Sequence, residues 1–160
     1  MTEFEHKLSG GLNVSLIQTT QDLNADKVNS ETEYSASFTF DSSQLTGASE
    51  VLVNTDLTYF KAFDNDHSLQ ATVAYNYFSD QLNTIGTLKK GNVIDKSFNT
   101  LDLIVKSKLN KLNISLSAKN LLNPSIKRVQ EVYETPGISE VTLSEFKSGI
   151  NISLSVGYRF

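Results

Sequence analysis

Apolar and small polar residues alternate through most of the chain, which is the pattern typical of β-strands. Successive side chains of a strand point to opposite faces of the sheet, so a period of two collects the apolar residues on one face. Residues 150–160 are the clearest case, with Ile, Leu, Val, Tyr and Phe at even positions and Asn, Ser, Gly and Arg at odd positions. The same alternation predicts strands at residues 1–8, 12–25, 50–63, 67–81, 98–108, 112–125 and 147–160.

The links between these predicted strands are short and long in turn. Short polar turns are predicted at residues 9–11, 64–67 and 109–111, and long polar segments at residues 26–49, 82–98 and 131–146. Strands joined in this way form an antiparallel up-and-down meander, with the short turns at one end and the long links at the other. Residues 31–41 also alternate and predict a further strand inside the first long link. No segment has a clear helical period of apolar residues.

Composition excludes several classes of function. The 160 residues include no cysteine, which excludes disulfides, thiolate metal sites and a cysteine nucleophile. The net charge of −4 gives no indication of a basic face for nucleic acid. Hydrophobic residues make up 39% of the chain, which is low for a soluble domain with a filled core. The polar opening "MTEFEHKLSG" is unlike a secretory signal peptide, so none is expected.

Alternation alone does not decide whether the apolar face lines a dry interior or contacts lipid. The membrane is favoured because the polar positions are Asn, Ser, Thr, Gln, Asp and Lys, as in a hydrated lumen, and the apolar stretches approach bilayer-spanning length. The alternation of short turns and long loops is also typical of outer-membrane barrels. Aromatic residues near the predicted strand ends resemble an interfacial girdle. They are Tyr59, Phe60, Phe63, Tyr75, Tyr77, Phe78, Tyr158 and Phe160.

Four charged residues on the polar faces are candidates for the lumen: Asp56, Asp102, Lys106 and Lys119. Such charges could line a translocation path, but paired charges that hydrate or buttress the wall are the favoured interpretation. His6 and His67 have no second ligand at metal spacing. No serine nucleophile elbow or phosphate-binding glycine loop is present. We therefore expect no enzyme activity, no cofactor and no metal site.

Three segments carry a resemblance to a known family: "LTGASEVLVNTDLTYF", "TLDLIVKSKLNKLNISLSAKNLLNP" with its Asn120–Asn123 motif, and the closing "SVGYRF". In this order and spacing they resemble the C-terminal part of the barrel of TonB-dependent outer-membrane receptors of the Bacteroidetes type. The resemblance covers most of the chain and is strongest from about residue 46 onward.

The resemblance implies an importer of a siderophore, glycan, peptide or similar nutrient in the bacterial outer membrane. Its implied partners are outer-membrane lipid, the remainder of the barrel with its plug domain, TonB and the barrel assembly machinery, with no nucleic acid. In that family the closing strand forms an insertion signal. The matching residues here are Ile152, Leu154, Val156, Tyr158 and Phe160.

The chain also departs from the family. A full receptor has about 22 strands, a plug domain and a TonB-binding motif. In this chain about seven strands are predicted, with no plug domain and no TonB-binding motif. Single-chain bacterial barrels have even strand numbers, so we expect part of a larger transmembrane barrel. One alternative is a small closed barrel of about eight strands with a structural or adhesion role, in which residues 31–41 add a strand. Another is a soluble β-sandwich or lipocalin-like binder.

Overall fold

The computed structural model of the protein describes residues 6–23, 26–27, 30, 38, 40–63, 66–87, 90–134 and 137–160. Within them, twelve β-strands carry the fold. They are β1 His6–Leu16, β2 Gln21–Asp22, β3 Ser42–Ser43, β4 Val51–Phe63, β5 His67–Phe78, β6 Gln81–Thr84, β7 Lys90–Asp95, β8 Phe98–Leu109, β9 Leu112–Lys119, β10 Ser125–Glu134, β11 Gly137–Lys147 and β12 Asn151–Tyr158.

The long strands form one six-stranded sheet in the order β1-β4-β5-β8-β9-β12, and every pairing in it is antiparallel. The predicted antiparallel meander is therefore confirmed. Phe63 pairs with His67 and Leu109 with Leu112, so two short turns lie at one end of the sheet, here called the turn end. Residues 17–50, 79–97 and 120–150 link the strands at the opposite end, here called the loop end.

The prediction of a turn at residues 9–11 is wrong, because β1 runs unbroken through both glycines. Gly10 pairs with Leu57 and Gly11 with Asp56 of β4. An added Cβ on Gly11 would lie 2.5 Å from Asp56 Oδ1, so a side chain there would crowd the neighbouring carboxylate. Glycine in a strand often marks a close approach of this kind. The segments predicted as two strands, 1–8 and 12–25, thus give one strand of the six-stranded sheet, and residues 1–5 and 24–25 lie outside the described chain.

The long links fold into further strands, although most of their length was predicted as loop. Strands β11-β10-β7-β6 form a second, four-stranded antiparallel sheet, and β2 pairs with β3. The predicted loops at residues 82–98 and 131–146 are therefore wrong. The second sheet holds the two most deeply buried apolar side chains of the described chain, Val129 and Leu82. Of the strand predicted at 31–41 most residues are not described, but Phe38 forms an isolated bridge with Thr87.

The asparagine motif after β9 is a turn, which ends the strand earlier than predicted. Asn120 and Asn123 adopt φ values of 58° and 43°, a left-handed conformation that asparagine tolerates better than most residues. The Asp102 carboxylate accepts a hydrogen bond of 2.8 Å from the backbone N–H of Asn120. Asn123 Oδ1 accepts a hydrogen bond of 3.0 Å from the backbone N–H of Gly149. β9 thus ends at Lys119, whereas the strand was predicted to extend over residues 112–125. β12 begins at Asn151, whereas the strand was predicted over residues 147–160.

Among the described residues no second sheet covers the apolar side chains of the six-stranded sheet, since Leu12, Val73 and Leu154 are all exposed. The short strands β2 and β3 lie beside the second sheet, because Ser42 and Ser43 line one cavity together with Asn92 of β7. β1 and β12 form the two edges of the six-stranded sheet, which is open. The described residues therefore form neither a β-sandwich nor a closed barrel.

Candidate functional site

The register of the six-stranded sheet assembles one largely apolar face across all of its strands, on which Thr55, Lys61 and Ser107 are polar exceptions. For example, Leu154 pairs with Leu116, and Leu116 pairs with Val105 of β8. The apolar face is defined by Leu8, Leu12, Val14, Leu16, Val51, Val53, Leu57, Tyr59, Phe63, Leu69, Ala71, Val73, Tyr75, Tyr77, Leu101, Leu103, Val105, Leu109, Leu112, Ile114, Leu116, Ala118, Ile152, Leu154, Val156 and Tyr158. The strand alternation predicted from the sequence is thus coherent from one edge of the sheet to the other.

The apolar face is uncovered. Exposure reaches 77% at Leu16 on the first strand and 70% at Ile152 on the last, and it is still 41% at Val73 in the centre. Among the described residues of this face, only Ala118 is buried. Monomeric soluble proteins rarely expose a contiguous apolar patch larger than a few hundred Å². A surface of six strands therefore requires an apolar environment outside the described residues.

The height of the apolar face matches a bilayer core. On β4 it extends from Val51 to Phe63, which is 63 − 51 = 12 residue steps. At about 3.4 Å per residue these steps cover about 41 Å along the strand. A strand tilted by about 45° then rises about 29 Å, between the ~25 Å apolar band of outer-membrane barrels and the ~30 Å hydrocarbon core of a bilayer.

The structure places the aromatic residues of the predicted girdle on both faces of the sheet and at different heights along the strands. At the turn end of the apolar face, Lys61 Nζ lies 4.7 Å from the centroid of the Phe63 ring. Towards the loop end, the Tyr75 hydroxyl accepts a hydrogen bond from Asn99 at 3.1 Å. Phe60 and Phe78 lie on the opposite face, because adjacent residues of a strand alternate. Tyr59 occupies the middle of its strand and not an end.

The predicted insertion signal occupies the sheet edge. Ile152, Leu154, Val156 and Tyr158 all lie on the apolar face of β12, which pairs with β9 on one side only. Phe160 follows β12, and its ring meets the Tyr158 ring edge-on at a centroid distance of 5.3 Å. The four strand residues are at least 58% exposed. The role of these residues in insertion stays a prediction.

The four predicted lumen residues all lie on the reverse of the sheet, here called the polar face. Asp56 and Asp102 flank Ala74 on the central strand, Lys106 lies between Gln70 and Ser115, and Lys119 pairs with Asn151. No ion pair joins any two of the four, so mutual pairing is not how they act. Asp102 instead buttresses the turn after β9 through the Asn120 amide.

The second sheet carries ion pairs that the sequence did not indicate, because their partners are far apart along the chain. Lys96 Nζ lies 2.8 Å from Asp80 Oδ2 and 3.2 Å from Glu140 Oε1, which connects it to β11. Arg128 donates to both oxygens of Asp95, with Nη2 to Oδ2 at 2.9 Å. These contacts link β7 to β10 and β11 at the loop end.

These pairs shift the acid–base behaviour of their members. The hydrogen bond from Arg128 lowers the pKa of Asp95 against a smaller opposing effect of burial. Burial raises the pKa of Asp80, but the hydrogen bonds from Lys96 and the Ser97 amide outweigh it, so that pKa is also lowered. The pKa of Lys96 is raised, chiefly by its hydrogen bond to Asp80.

Other candidate chemistry gives no assembled site among the described residues. His67 pairs with Phe63 and Leu109, and His6 Nδ1 is 2.8 Å from the Tyr59 hydroxyl. No group of three His, Asp or Glu side chains there could hold a metal ion. In the described part of the chain, no helix is both long and apolar enough to cross a membrane.

Comparison with known proteins gives no relative: no protein family, no curated protein and no solved structure matches the chain.

Proposed function

We propose that the chain forms part of the wall of a β-barrel in the bacterial outer membrane. The apolar face of the six-stranded sheet contacts lipid and the polar face lines a hydrated interior. The observation that carries the proposal is the uncovered apolar face, which extends from β1 to β12 and is backed by Asn, Ser, Thr, Asp and Lys. Lipid hydrocarbon covers such a surface without a second layer of protein, and the height of the apolar face is close to that of the apolar band of outer-membrane barrels.

Lipid contact is tested by placing single tryptophans on opposite faces of β12. The chain has no tryptophan, so Leu154→Trp and its neighbour Ser155→Trp each supply one reporter. In vesicles, we expect the Leu154→Trp emission to be blue-shifted and strongly quenched by lipids brominated on their acyl chains. Ser155→Trp, on the polar face, is the matched control and should be quenched far less. Equal quenching of the two variants, or none in either, would contradict the proposal.

Within this class, we propose the wall of a TonB-dependent importer of a siderophore, glycan, peptide or similar nutrient. The support is the set of segments quoted above, together with the meander whose short turns and long links alternate. In an intact receptor the loop end would capture the nutrient, and TonB would drive rearrangement of the plug. The source DNA tests this directly: codons for further strands and a plug domain should lie in frame before Met1. An in-frame stop codon immediately upstream would remove the importer proposal.

A small closed barrel with a structural or adhesion role is the second candidate. It is favoured by the even number of strands in the main sheet and by the opposite directions of its edge strands β1 and β12. Six strands are fewer than the eight of the smallest barrels of this kind, so closure needs added strands. A monodisperse, monomeric particle of the 160-residue chain that resists protease in detergent would favour this candidate over the importer.

A further inference from the structure

Two lysines on the polar face are surrounded by neutral hydrogen-bonding side chains in a regular grid. Lys106 pairs with Gln70 of β5 and Ser115 of β9. Two residues nearer the turn end, Lys108 pairs with Ser68 and Asn113 of the same strands. Here the name lysine grid is used for these six residues. They line a shallow cleft of about 180 Å³, together with Phe60, Ser107 and Ile114.

The dimensions of the lysine grid suit a small ligand. Neighbouring strands lie about 4.8 Å apart and alternate residues of a strand about 7 Å apart, so the two ammonium groups can reach one bound group. Both lysine residues are exposed, and neither forms an ion pair within the described part of the chain. The side chains therefore need no rearrangement of a salt bridge before they bind.

The charge around the lysine grid is positive. No acidic residue lines the cleft. The nearest acid on the same face of β8 is Asp102, four residues or about 13 Å from Lys106, and it already accepts the Asn120 amide. Asp66 lies in the turn beyond Ser68, whereas Lys111 and Arg159 lie at the same end, joined by a backbone hydrogen bond of 2.8 Å. An anion is thus the complementary ligand.

We propose that the lysine grid binds a doubly charged oxyanion, such as the phosphate group of a solute inside the barrel. Two ammonium groups supply the charge, while the Ser, Asn and Gln side chains can donate hydrogen bonds to several oxygens at once. A monocarboxylate offers one charge and two oxygens, so it forms fewer ionic and hydrogen-bond contacts with the lysine grid. The inference rests on the proposed function only in placing the polar face inside a barrel.

Lysine acetylation followed by mass spectrometry tests the site on the 160-residue chain folded in detergent. The probe is inorganic phosphate at about 10 mM, compared with chloride and with acetate at equal ionic strength. If the dissociation constant is about 1 mM, about one site in eleven stays free, so acetylation of Lys106 and Lys108 should slow about tenfold. Lys147, exposed on β11, is the internal reference and should react at an unchanged rate.

Calorimetric titration with phosphate of matched variants gives a second readout. Lys106→Gln should weaken binding about tenfold, while Lys147→Gln removes the same charge from the other sheet and should leave the affinity unchanged. Two results would overturn the inference: phosphate and acetate protect Lys106 and Lys108 from acetylation equally, or phosphate protects Lys147 as much as these two lysines. Either result would show that the anions act only by screening charge. Because this test needs no bilayer, its failure is distinct from failure of the tryptophan experiment, which concerns the membrane.

Discussion

Gly91 is a residue at which a single added carbon atom should destabilise the fold. It lies in β7, where a Cβ would be 2.6 Å from Glu131 Cβ and 3.0 Å from both Glu131 O and the Tyr133 ring. Glu131 Cβ and O cannot swing away as the tip of a long side chain can. We expect Gly91→Ala to lower the free energy of unfolding by about 1–3 kcal/mol, measured by denaturant titration in detergent.

Gly157 supplies the control for this substitution. It also lies in a strand, β12, but an added Cβ there meets nothing within 4 Å. Gly157→Ala should therefore be neutral or stabilise by up to about 1 kcal/mol, because alanine restricts the unfolded chain. A Gly157→Ala loss as large as that of Gly91→Ala would mean that the close contact with Glu131 is not what limits residue 91.

Asn120 shows how a residue-level pattern can be recognised before its role is known. The sequence singles out Asn120–Asn123 as a motif, and the structure gives its local purpose, a left-handed turn fixed by the Asp102 carboxylate. Asp102 itself was predicted as a lumen charge. Its hydrogen bond to the turn depends on two strands lying side by side, which is a contact that no local pattern encodes.

At the scale of the elements, acid should loosen the pairing of β7 with β10. The pKa values of Asp95 and Asp80 are lowered in the folded state from the ordinary 3.8, by Arg128 and by Lys96 with the Ser97 amide. A carboxylate with a lowered folded pKa contributes stability above its unfolded pKa, and this contribution is lost as the pH falls through the folded value. The loss should therefore begin near pH 4 and continue below it.

Amide hydrogen exchange can detect this loosening strand by strand. Between about pH 6 and pH 3, protection factors should fall more in β7 and β10 than in the β8–β9 hairpin, which lacks these pairs. In Asp95→Asn the difference between the two regions should shrink, because one titrating partner is gone. A uniform fall in all strands would show that other carboxylates control the acid response.

For the barrel wall proposed above, the separation of short turns and long links predicts how the whole molecule is oriented in the outer membrane. Outer-membrane barrels keep short turns in the periplasm and long loops outside the cell. The chain has no cysteine, so Ser139→Cys on β11 and Lys111→Cys in the β8–β9 turn each give one thiol. In cells with the chain in their outer membrane, a membrane-impermeant maleimide should label Ser139→Cys directly and Lys111→Cys only after permeabilisation. The reverse pattern would contradict the proposed orientation.

The sequence by itself determined five of the six strands of the main sheet, their alternating faces, and the short turns at residues 64–67 and 109–111 between longer links. These are local properties: a period of two depends only on neighbours along the chain, and a turn depends on a few residues. The Val51–Phe63 and Phe98–Leu109 strands, predicted as residues 50–63 and 98–108, were predicted to within one residue for this reason.

Only the tertiary structure decided that Gly10 and Gly11 continue a strand, and that the long links form a second sheet. Both depend on partners distant in sequence: Asp56 lies opposite Gly11, and Arg128 lies opposite Asp95. The register shift between Arg128 and Val129 also breaks the period of two within the β10–β11 hairpin, which hid these strands from a search for alternation. Exposure of the apolar face was likewise decided by packing, because alternation is the same whether that face is covered by protein or left open.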